Sequence, residues 1–199
     1  GLWLPHMPKE WGGMGLGHVA LAMVQSEVAK TRVGPWVLNC AAPDEGNMHT
    51  LVHWGTPEQK EKYLKPLCAG VSSSCFAMTE PEVAGSDPTL IQTTAIKDGD
   101  EWIINGHKWF ISGAHSAKFA ILIARTELDV PVGSRGANTA FIIDLPSTGW
   151  NNVREIATMH GPGGHSEIVI EDLRVHDSQI LGGRGNGHRL GQYRLGPAR

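Results

Sequence analysis

Long apolar runs are missing from this sequence. No stretch of its 199 residues approaches the roughly 20 apolar positions that a membrane-spanning helix needs. An excess of positive charge is also missing, because the formal net charge is -3 and the Lys and Arg residues are scattered. We therefore expect no membrane span and no nucleic-acid partner. The composition, 41% hydrophobic and 19% charged, is typical of a soluble globular protein.

Cysteine is scarce, with three residues at Cys40, Cys68 and Cys75. Their number is odd and their spacing is not that of metal ligands, so we expect reduced thiols among apolar neighbours in the core. The chain is long enough to bury such a core without disulfides. A signal peptide is not visible at Gly1, and the cytoplasm is therefore the expected location.

The first part of the chain, residues 1–71, has a helical pattern. Apolar residues recur every three or four positions after Leu16, which predicts one apolar stripe on a helix that ends at Gly34 and Pro35. A second helix is predicted where Thr56 precedes a proline and Gln59 completes a capping box, and it should end at Pro66. A single irregular helical region is the alternative. The stripe consists of Val19, Ala20, Met23, Val24 and Val28.

The period changes after Gly70. Short runs rich in β-forming residues are separated by Gly, Pro, Asn and Asp, and Asp98 with Gly99 is typical of a hairpin turn. We expect an α+β fold in which a β-barrel-like or sandwich domain occupies residues 72–180. Residues 181–199 then form the start of another helical region. The runs are "SSSCFAMTE", "TTAIKDGDEWIINGHKWFIS", "KFAILIAR", "NTAFIIDL" and "SEIVIEDLRV".

Several motifs in this order resemble the acyl-CoA dehydrogenase family. They are "MPKEWGG" at residues 7–13, "GTPEQKEKYLKPLCAG" at 55–70, "FAMTEPEVAGSD" at 76–87, "GHKWFISGA" at 106–114 and the segment 173–182. The resemblance covers the family's N-terminal and middle domains, and it implies that the C-terminal helical domain is missing from this sequence. "NCAAPDEGNM" and "RLGPAR" look like the branch that is fused in animals to a phosphotransferase-like kinase domain.

The resemblance implies an FAD site between two of these motifs. Backbone groups of the first motif would face the pyrimidine edge of the flavin, and the Thr79 hydroxyl would lie near that edge. Gly85 and Ser86 would let the backbone approach the ring, and Ser86 would also contact the substrate. The implied cofactor-binding residues of this motif are Phe76, Ala77, Met78, Thr79, Gly85 and Ser86.

The second motif contributes Phe110, Ile111 and Ser112 to the implied site. Phe110 aligns with the family's usual Trp, which packs against the flavin ring. Ser112 aligns with the usual Thr, whose hydroxyl reaches the flavin nitrogen N5. The alternative is a register slipped by one residue, in which Trp109 supplies the packing ring.

Other motifs are interpreted as structural. "GGMGLG" at residues 12–17 follows no predicted strand, and "GGRGNG" lacks a βαβ unit, so neither is assigned to a dinucleotide. His160 and His165 lack a third ligand at a recognisable spacing, and we expect no metal. Glu80 and Glu82 look like a catalytic carboxylate pair, but by resemblance Glu80 lies in the cofactor loop, and hydrogen bonding in that loop is its expected role.

The resemblance implies α,β-desaturation of an acyl-CoA thioester, with an electron-transfer flavoprotein as electron acceptor and a homodimer or homotetramer as assembly. In most of the family the carboxylate base lies in the C-terminal domain, so we assign no catalytic residue here and expect the base beyond Arg199. The 199 residues alone should bind FAD weakly, turn over no acyl-CoA and self-associate. A related flavin monooxygenase or nitroalkane oxidase, and a non-catalytic binding module, are the alternative functions.

Overall fold

The computed structural model describes residues 2–159, 161 and 163–196. Its first part is helical, as predicted. Short helical segments pack around a core that includes Met48, Leu51, Leu64 and Leu67. Among the helices of the described chain, none is both long and apolar enough to cross a bilayer. The α-helices of this part are α1 (His18–Val28), α2 (Gly34–Val37), α3 (Asp44–Trp54), α4 (Pro57–Gln59) and α5 (Lys65–Cys68).

Two predicted helix ends are wrong. Helix α1 ends at Val28, and Pro35 lies at the start of the separate helix α2. Pro66 does not end a helix either, since a π-helical turn, Lys60–Leu64, joins α4 directly to α5. Pro66 therefore lies inside a continuous helical run, directly after the π turn and not at a helix end.

The predicted capping box at the start of α4 is confirmed. The Thr56 hydroxyl accepts a hydrogen bond from the Gln59 backbone N–H at 3.2 Å, and the Gln59 side chain accepts one from the Thr56 N–H at 3.1 Å. The amide group of Gln59 also donates to the carbonyl oxygens of Ser178 and Ile180, each at 3.0 Å. The Gln59 side chain thus connects the helical part to residues 178–180, near the C-terminal end of the β part.

The β part is one mixed sheet in the order β6-β7-β3-β2-β4-β5-β8, with β1 paired in parallel with β4. Strand β6 was not predicted, because its sequence "WNNVRE" is polar and all of it except Trp150 is exposed. The predicted hairpin at Gly99 joins β2 to β3. The strands are β1 (Ser74–Ala77), β2 (Thr94–Asp98), β3 (Glu101–Ser112), β4 (Phe119–Arg125), β5 (Asn138–Asp144), β6 (Trp150–Glu155), β7 (His165–His176) and β8 (Ile180–Leu181), and α6 (Gly187–Leu195) follows.

Strand β4 is buried on both faces. On one face Leu122 belongs to the same apolar cluster as Trp102 of β3 and Leu173 of β7, so the sheet curls around this cluster as a barrel does. On the other face Phe119 and Ile121 pack with the helical core. The α+β fold with a barrel-like β part is therefore confirmed. Successive side chains of β4 point to opposite faces of the sheet, so this one strand contributes residues to both cores.

Helix α1 carries the predicted apolar stripe, but the described chain does not bury it. Its apolar stripe faces away from the described core, and Val19 and Met23 are 79% and 68% exposed. No residue of α1 is buried by the part of the chain that the structure describes. The apolar period predicted the helix correctly, but a period alone does not say which surface covers the stripe.

The three cysteines are free and buried, as predicted. Burial raises the pKa of the Cys68 thiol to about 11. Burial, together with the nearby Asp44 carboxyl, raises the pKa of Cys75 to about 12. Burial also raises the pKa of Cys40, so all three thiols have little thiolate character at neutral pH.

Candidate flavin and acyl-CoA site

Residues 76–79 run along the boundary between the two cores. Cys75 and Ala77 point into the barrel cluster, whereas Phe76 and Met78 pack toward the helices on the opposite face. This is the alternation of an extended strand end. As a result, the backbone predicted to face a flavin is held by packing on both sides.

A buried ion pair fixes the end of this segment. Lys108 of β3 is 0% exposed, and its ammonium group donates to a Glu80 carboxylate oxygen at 2.8 Å and to the Met78 carbonyl oxygen at 2.9 Å. Glu80 also accepts from the backbone N–H groups of Gln92 and Thr93 and from the Thr93 hydroxyl. These bonds satisfy the buried carboxylate and tie the loop to β3.

The pKa values of this pair follow from its surroundings. Burial lowers the pKa of Lys108 to about 8, against the opposing effect of the Glu80 carboxylate. Burial alone would raise the pKa of Glu80, but the charge of Lys108 and the hydrogen bonds from Lys108, Thr93 and Gln92 outweigh it and lower the pKa. Both groups are therefore charged at neutral pH. Glu80 forms hydrogen bonds with the loop around it, as expected from the sequence.

Thr79 and Trp109 join the two predicted motifs directly. The Thr79 hydroxyl donates to the Trp109 carbonyl oxygen at 2.6 Å, and the Trp109 N–H donates to the Thr79 carbonyl oxygen at 3.0 Å. The Thr79 hydroxyl proton is thus held by the protein itself. Only the lone pairs of its oxygen stay available to a ligand.

Strand β3 changes its register with β7 between Lys108 and Ile111. Phe110 sits in this bulge with a φ of 53°, a left-handed conformation that is strained for a side chain of its size. Phe110 is 46% exposed, whereas Ile111 is buried in the barrel cluster. Phe110 and Trp109 contact each other edge to face, with ring centroids 5.0 Å apart. A strained residue that holds an apolar ring in solvent fits a flat aromatic ligand lying on that ring.

Ser112, at the end of β3, is hydrogen-bonded to a histidine. Its Oγ lies 3.0 Å from Nδ1 of His165, the first residue of β7. Sequence reasoning considered His165 only as a metal ligand and missed this contact, because the two residues are 53 positions apart. The antiparallel pairing of β3 with β7, once known, would have placed them opposite each other.

A cavity of about 370 Å³ opens on the other side of residues 76–79. Phe76, Met78 and Ile123 supply apolar walls, and Gly85 and Ser86 line it as well. The remaining described lining includes the first residues of helix α6 and several polar side chains, but no Asp or Glu. Those polar residues are Asn138, His188, Gln192 and Arg194.

Arg194 anchors helix α6 over this cavity. Its guanidinium group donates to the Asn47 side-chain oxygen at 2.9 Å and to the Pro43 carbonyl oxygen at 3.1 Å. The same group lies 4.4 Å from the centroid of the Phe76 ring. Burial lowers the pKa of Arg194, and the Glu45 carboxylate opposes this effect. The cavity wall is thereby linked to the helical part.

Glu80 and Glu82, which look like a carboxylate pair in the sequence, do not lie together in the structure. Glu82 is exposed and lies 3.1 Å from the His107 ring, so it is not paired with the buried Glu80. His160 lies outside the described residues, and the described part of the chain has no group of three or more His, Cys, Asp or Glu side chains that could hold a metal.

The sequence matches two domain families over most of its length. Residues 1–71 match "Acyl-CoA dehydrogenase, N-terminal domain", and residues 75–173 match "Acyl-CoA dehydrogenase, middle domain". This chain belongs to the acyl-CoA dehydrogenase family. The family predicted from the motifs is therefore confirmed. Membership is established for the two matched domains.

Individual relatives agree with this assignment. The chain is 38% identical to human acyl-CoA dehydrogenase family member 11. This match covers 100% of the chain and 26% of the human protein. A structure of an acyl-CoA dehydrogenase from Mycobacterium abscessus has a TM-score of 0.91 at 34% identity, over 98% of this chain and 49% of the other. An electron transferring flavoprotein structure from Acidaminococcus fermentans has a TM-score of 0.76 at 28% identity. The chain thus spans a quarter to a half of the proteins that it matches here.

Proposed function

We propose that this acyl-CoA dehydrogenase family member takes part in FAD-dependent α,β-desaturation of an acyl-CoA thioester, a step of fatty-acid breakdown. The observation that carries the proposal is the joined pair of motifs. Thr79 and Trp109 bond to each other, and Lys108 bonds to the Met78 carbonyl oxygen. They form one surface with an exposed aromatic ring on one side and a largely apolar cavity on the other.

Bound FAD would supply the hydride acceptor for this reaction. The residues proposed to hold it are Phe76, Ala77, Met78, Thr79, Gly85 and Ser86 from the first motif, and Phe110, Ile111 and Ser112 from the second. Phe110 offers its exposed ring to the flavin face, and the Ser112 hydroxyl offers a hydrogen bond toward N5. Ile111, which is buried, contributes by its backbone and by fixing the strand.

The cavity beside residues 76–79 is proposed to take the acyl group near its thioester. Phe76, Met78 and Ile123 provide the apolar surface that an acyl chain needs, and Ser86 lies where it can contact the thioester region. The described lining holds no carboxylate that could act as a general base. We accordingly assign no catalytic base to these residues.

The reduced flavin needs an electron acceptor, and we propose an electron-transfer flavoprotein. Membership in the acyl-CoA dehydrogenase family supports this class of acceptor. We further propose a homodimer or homotetramer at full length, in the cytoplasm. The exposed stripe of α1, with Val19 and Met23, is surface that an assembled protein would cover.

An anaerobic titration tests the proposed reaction. We expect the protein, at the full length that its gene encodes, to be yellow and to lose its flavin absorbance when the preferred member of a panel of acyl-CoAs is added. One substrate should bleach one flavin, since a proton leaves the α carbon and a hydride, which carries two electrons, leaves the β carbon. An electron-transfer flavoprotein should then restore the colour.

The same titration separates the proposal from its alternatives. Rapid oxygen consumption without an electron-transfer flavoprotein would favour a monooxygenase or nitroalkane oxidase. A full-length protein that binds FAD but is bleached by no acyl-CoA would contradict desaturation, and one that binds neither ligand would leave a non-catalytic module.

A further inference from the structure

His165 is positioned by its backbone from two sides. It pairs with Ser112 in the β3–β7 ladder, and its carbonyl oxygen accepts from the Ile156 N–H at 2.7 Å. The neighbouring carbonyl of Gly164 accepts from the Gly113 N–H at 2.9 Å. The imidazole is therefore placed by the strand pairing, with its Nδ1 directed at the Ser112 hydroxyl.

Ser112, His165 and Phe110 share one face of the sheet end. Ser112 and His165 are half-buried and the Phe110 ring is exposed, whereas Ile111 between them is buried on the opposite face. The centroids of the Phe110 and His165 rings are 6.3 Å apart. The serine–histidine pair therefore lies next to the ring on which the flavin is proposed to stack.

The chemistry of the two side chains makes their hydrogen bond reversible. A serine hydroxyl has a single proton, so it can donate to one acceptor at a time while its lone pairs accept from others. In a neutral imidazole, Nδ1 is a donor in one tautomer and an acceptor in the other. If Nδ1 carries the proton, Ser112 accepts from it and is free to donate elsewhere. If Nδ1 is bare, Ser112 donates to it.

We infer that His165 and Ser112 form a relay that presents a hydrogen-bond donor to oxidised flavin N5 and an acceptor to reduced flavin N5–H. The inference rests on the proposed FAD site. Oxidised N5 is an acceptor and reduced N5 carries a hydrogen, so the serine must reverse its direction between the two states. His165 allows this reversal: one proton leaves Nδ1 to solvent, another is taken up at Nε2, and the ring stays neutral. His165 is a positioning residue, since it acts through Ser112.

The reduction potential of bound FAD tests the relay in the full-length protein. We expect His165→Leu to weaken binding of reduced FAD relative to oxidised FAD by about three- to tenfold, because the serine can still donate to oxidised N5 but has no acceptor for its own proton when it accepts from reduced N5–H. A tenfold change equals about 30 mV for a two-electron couple. His165→Asn should restore most of the wild-type potential, because an amide can turn either its N–H₂ or its oxygen toward the serine.

A double-mutant cycle distinguishes the relay from a merely structural contact. In a Ser112→Ala background, His165→Leu should leave the potential unchanged, since no hydroxyl remains to be oriented. An equal shift in both backgrounds, or a wild-type potential in His165→Leu, would overturn the relay. Where a variant does not fold, the imidazole nitrogen NMR signals of the wild-type protein decide. The proton should be on Nδ1 of His165 when the flavin is oxidised and on Nε2 when the flavin is reduced. An unchanged tautomer would refute the inference.

The outcomes also separate this inference from the proposed function. If the protein binds FAD and gives the predicted result in the double-mutant cycle, but is not reduced by any acyl-CoA, the relay is supported and the desaturation is contradicted. A protein reduced by acyl-CoA in which His165→Leu has no effect on the potential would retain the desaturation and lose the relay. Failure of the wild-type protein to bind FAD would overturn both.

Discussion

Replacing Lys108 with methionine is expected to lower the free energy of unfolding by about 3–5 kcal/mol, as for other buried ion pairs that lose one partner. The substitution leaves the Glu80 carboxylate, which is 2% exposed, without its counter-ion. It also removes the bond from Lys108 to the Met78 carbonyl oxygen and so loosens the proposed cofactor segment. Denaturant titration gives the stability change, and FAD titration should show weaker binding.

The matched control removes both charges. In Lys108→Met with Glu80→Gln, no unpaired charge is buried, and we expect part of the lost stability to return, because glutamine keeps only one of the two oxygens that accept from Gln92 and Thr93. FAD affinity should stay reduced, because the bond to Met78 is still missing. A single Lys108→Met variant as stable as the wild type would contradict the buried ion pair, and full affinity in the double variant would show that the bond to Met78 does not support the site.

Replacing Phe110 with glycine is expected to move stability and cofactor affinity in opposite directions. Glycine adopts a φ of 53° without strain, so the substitution should be neutral or stabilising by up to about 1 kcal/mol. The exposed ring makes few contacts inside the described chain, but the proposed flavin would bury it. Loss of about 1.5–3 kcal/mol of aromatic burial corresponds to roughly ten- to a hundredfold weaker FAD binding.

Two further substitutions serve as controls for Phe110. Phe110→Ala removes the ring but keeps a side chain in the left-handed conformation, so it should weaken FAD binding without gaining stability. Phe110→Trp introduces the aromatic residue usual in the family and should preserve affinity. If Trp109→Ala abolishes binding while Phe110→Gly does not, the register slipped by one residue is correct and Trp109 is the packing ring.

Local signals in the sequence were sufficient for several elements. The capping box at Thr56 formed because its bonds lie within four residues, and the hairpin at Gly99 formed because glycine suits the turn. The order of helical and β-rich segments also predicted the α+β fold, because the change from helical to extended periodicity after Gly70 is itself local. Such features depend on neighbours along the chain and are accessible without a structure.

Features that depend on distant residues were not predicted. Glu80 and Lys108 are 28 positions apart, and Ser112 and His165 are 53 apart, so the first contact follows from packing of a loop on β3 and the second from the pairing of β3 with β7. Pro66 was misinterpreted because its effect depends on the π turn before it. The motifs located the proposed site, but the partners that orient its side chains required the folded arrangement.

The most direct test of the account is to locate FAD on the protein by hydrogen exchange. The full-length protein, with and without saturating FAD, would be compared by mass spectrometry of its peptides. We predict one FAD per chain and slower exchange in residues 76–80 and 108–112, with no comparable change in helix α1, which serves as an internal control. Binding of FAD that leaves both segments unchanged and slows exchange elsewhere, or no binding at all, would contradict the proposed flavin site.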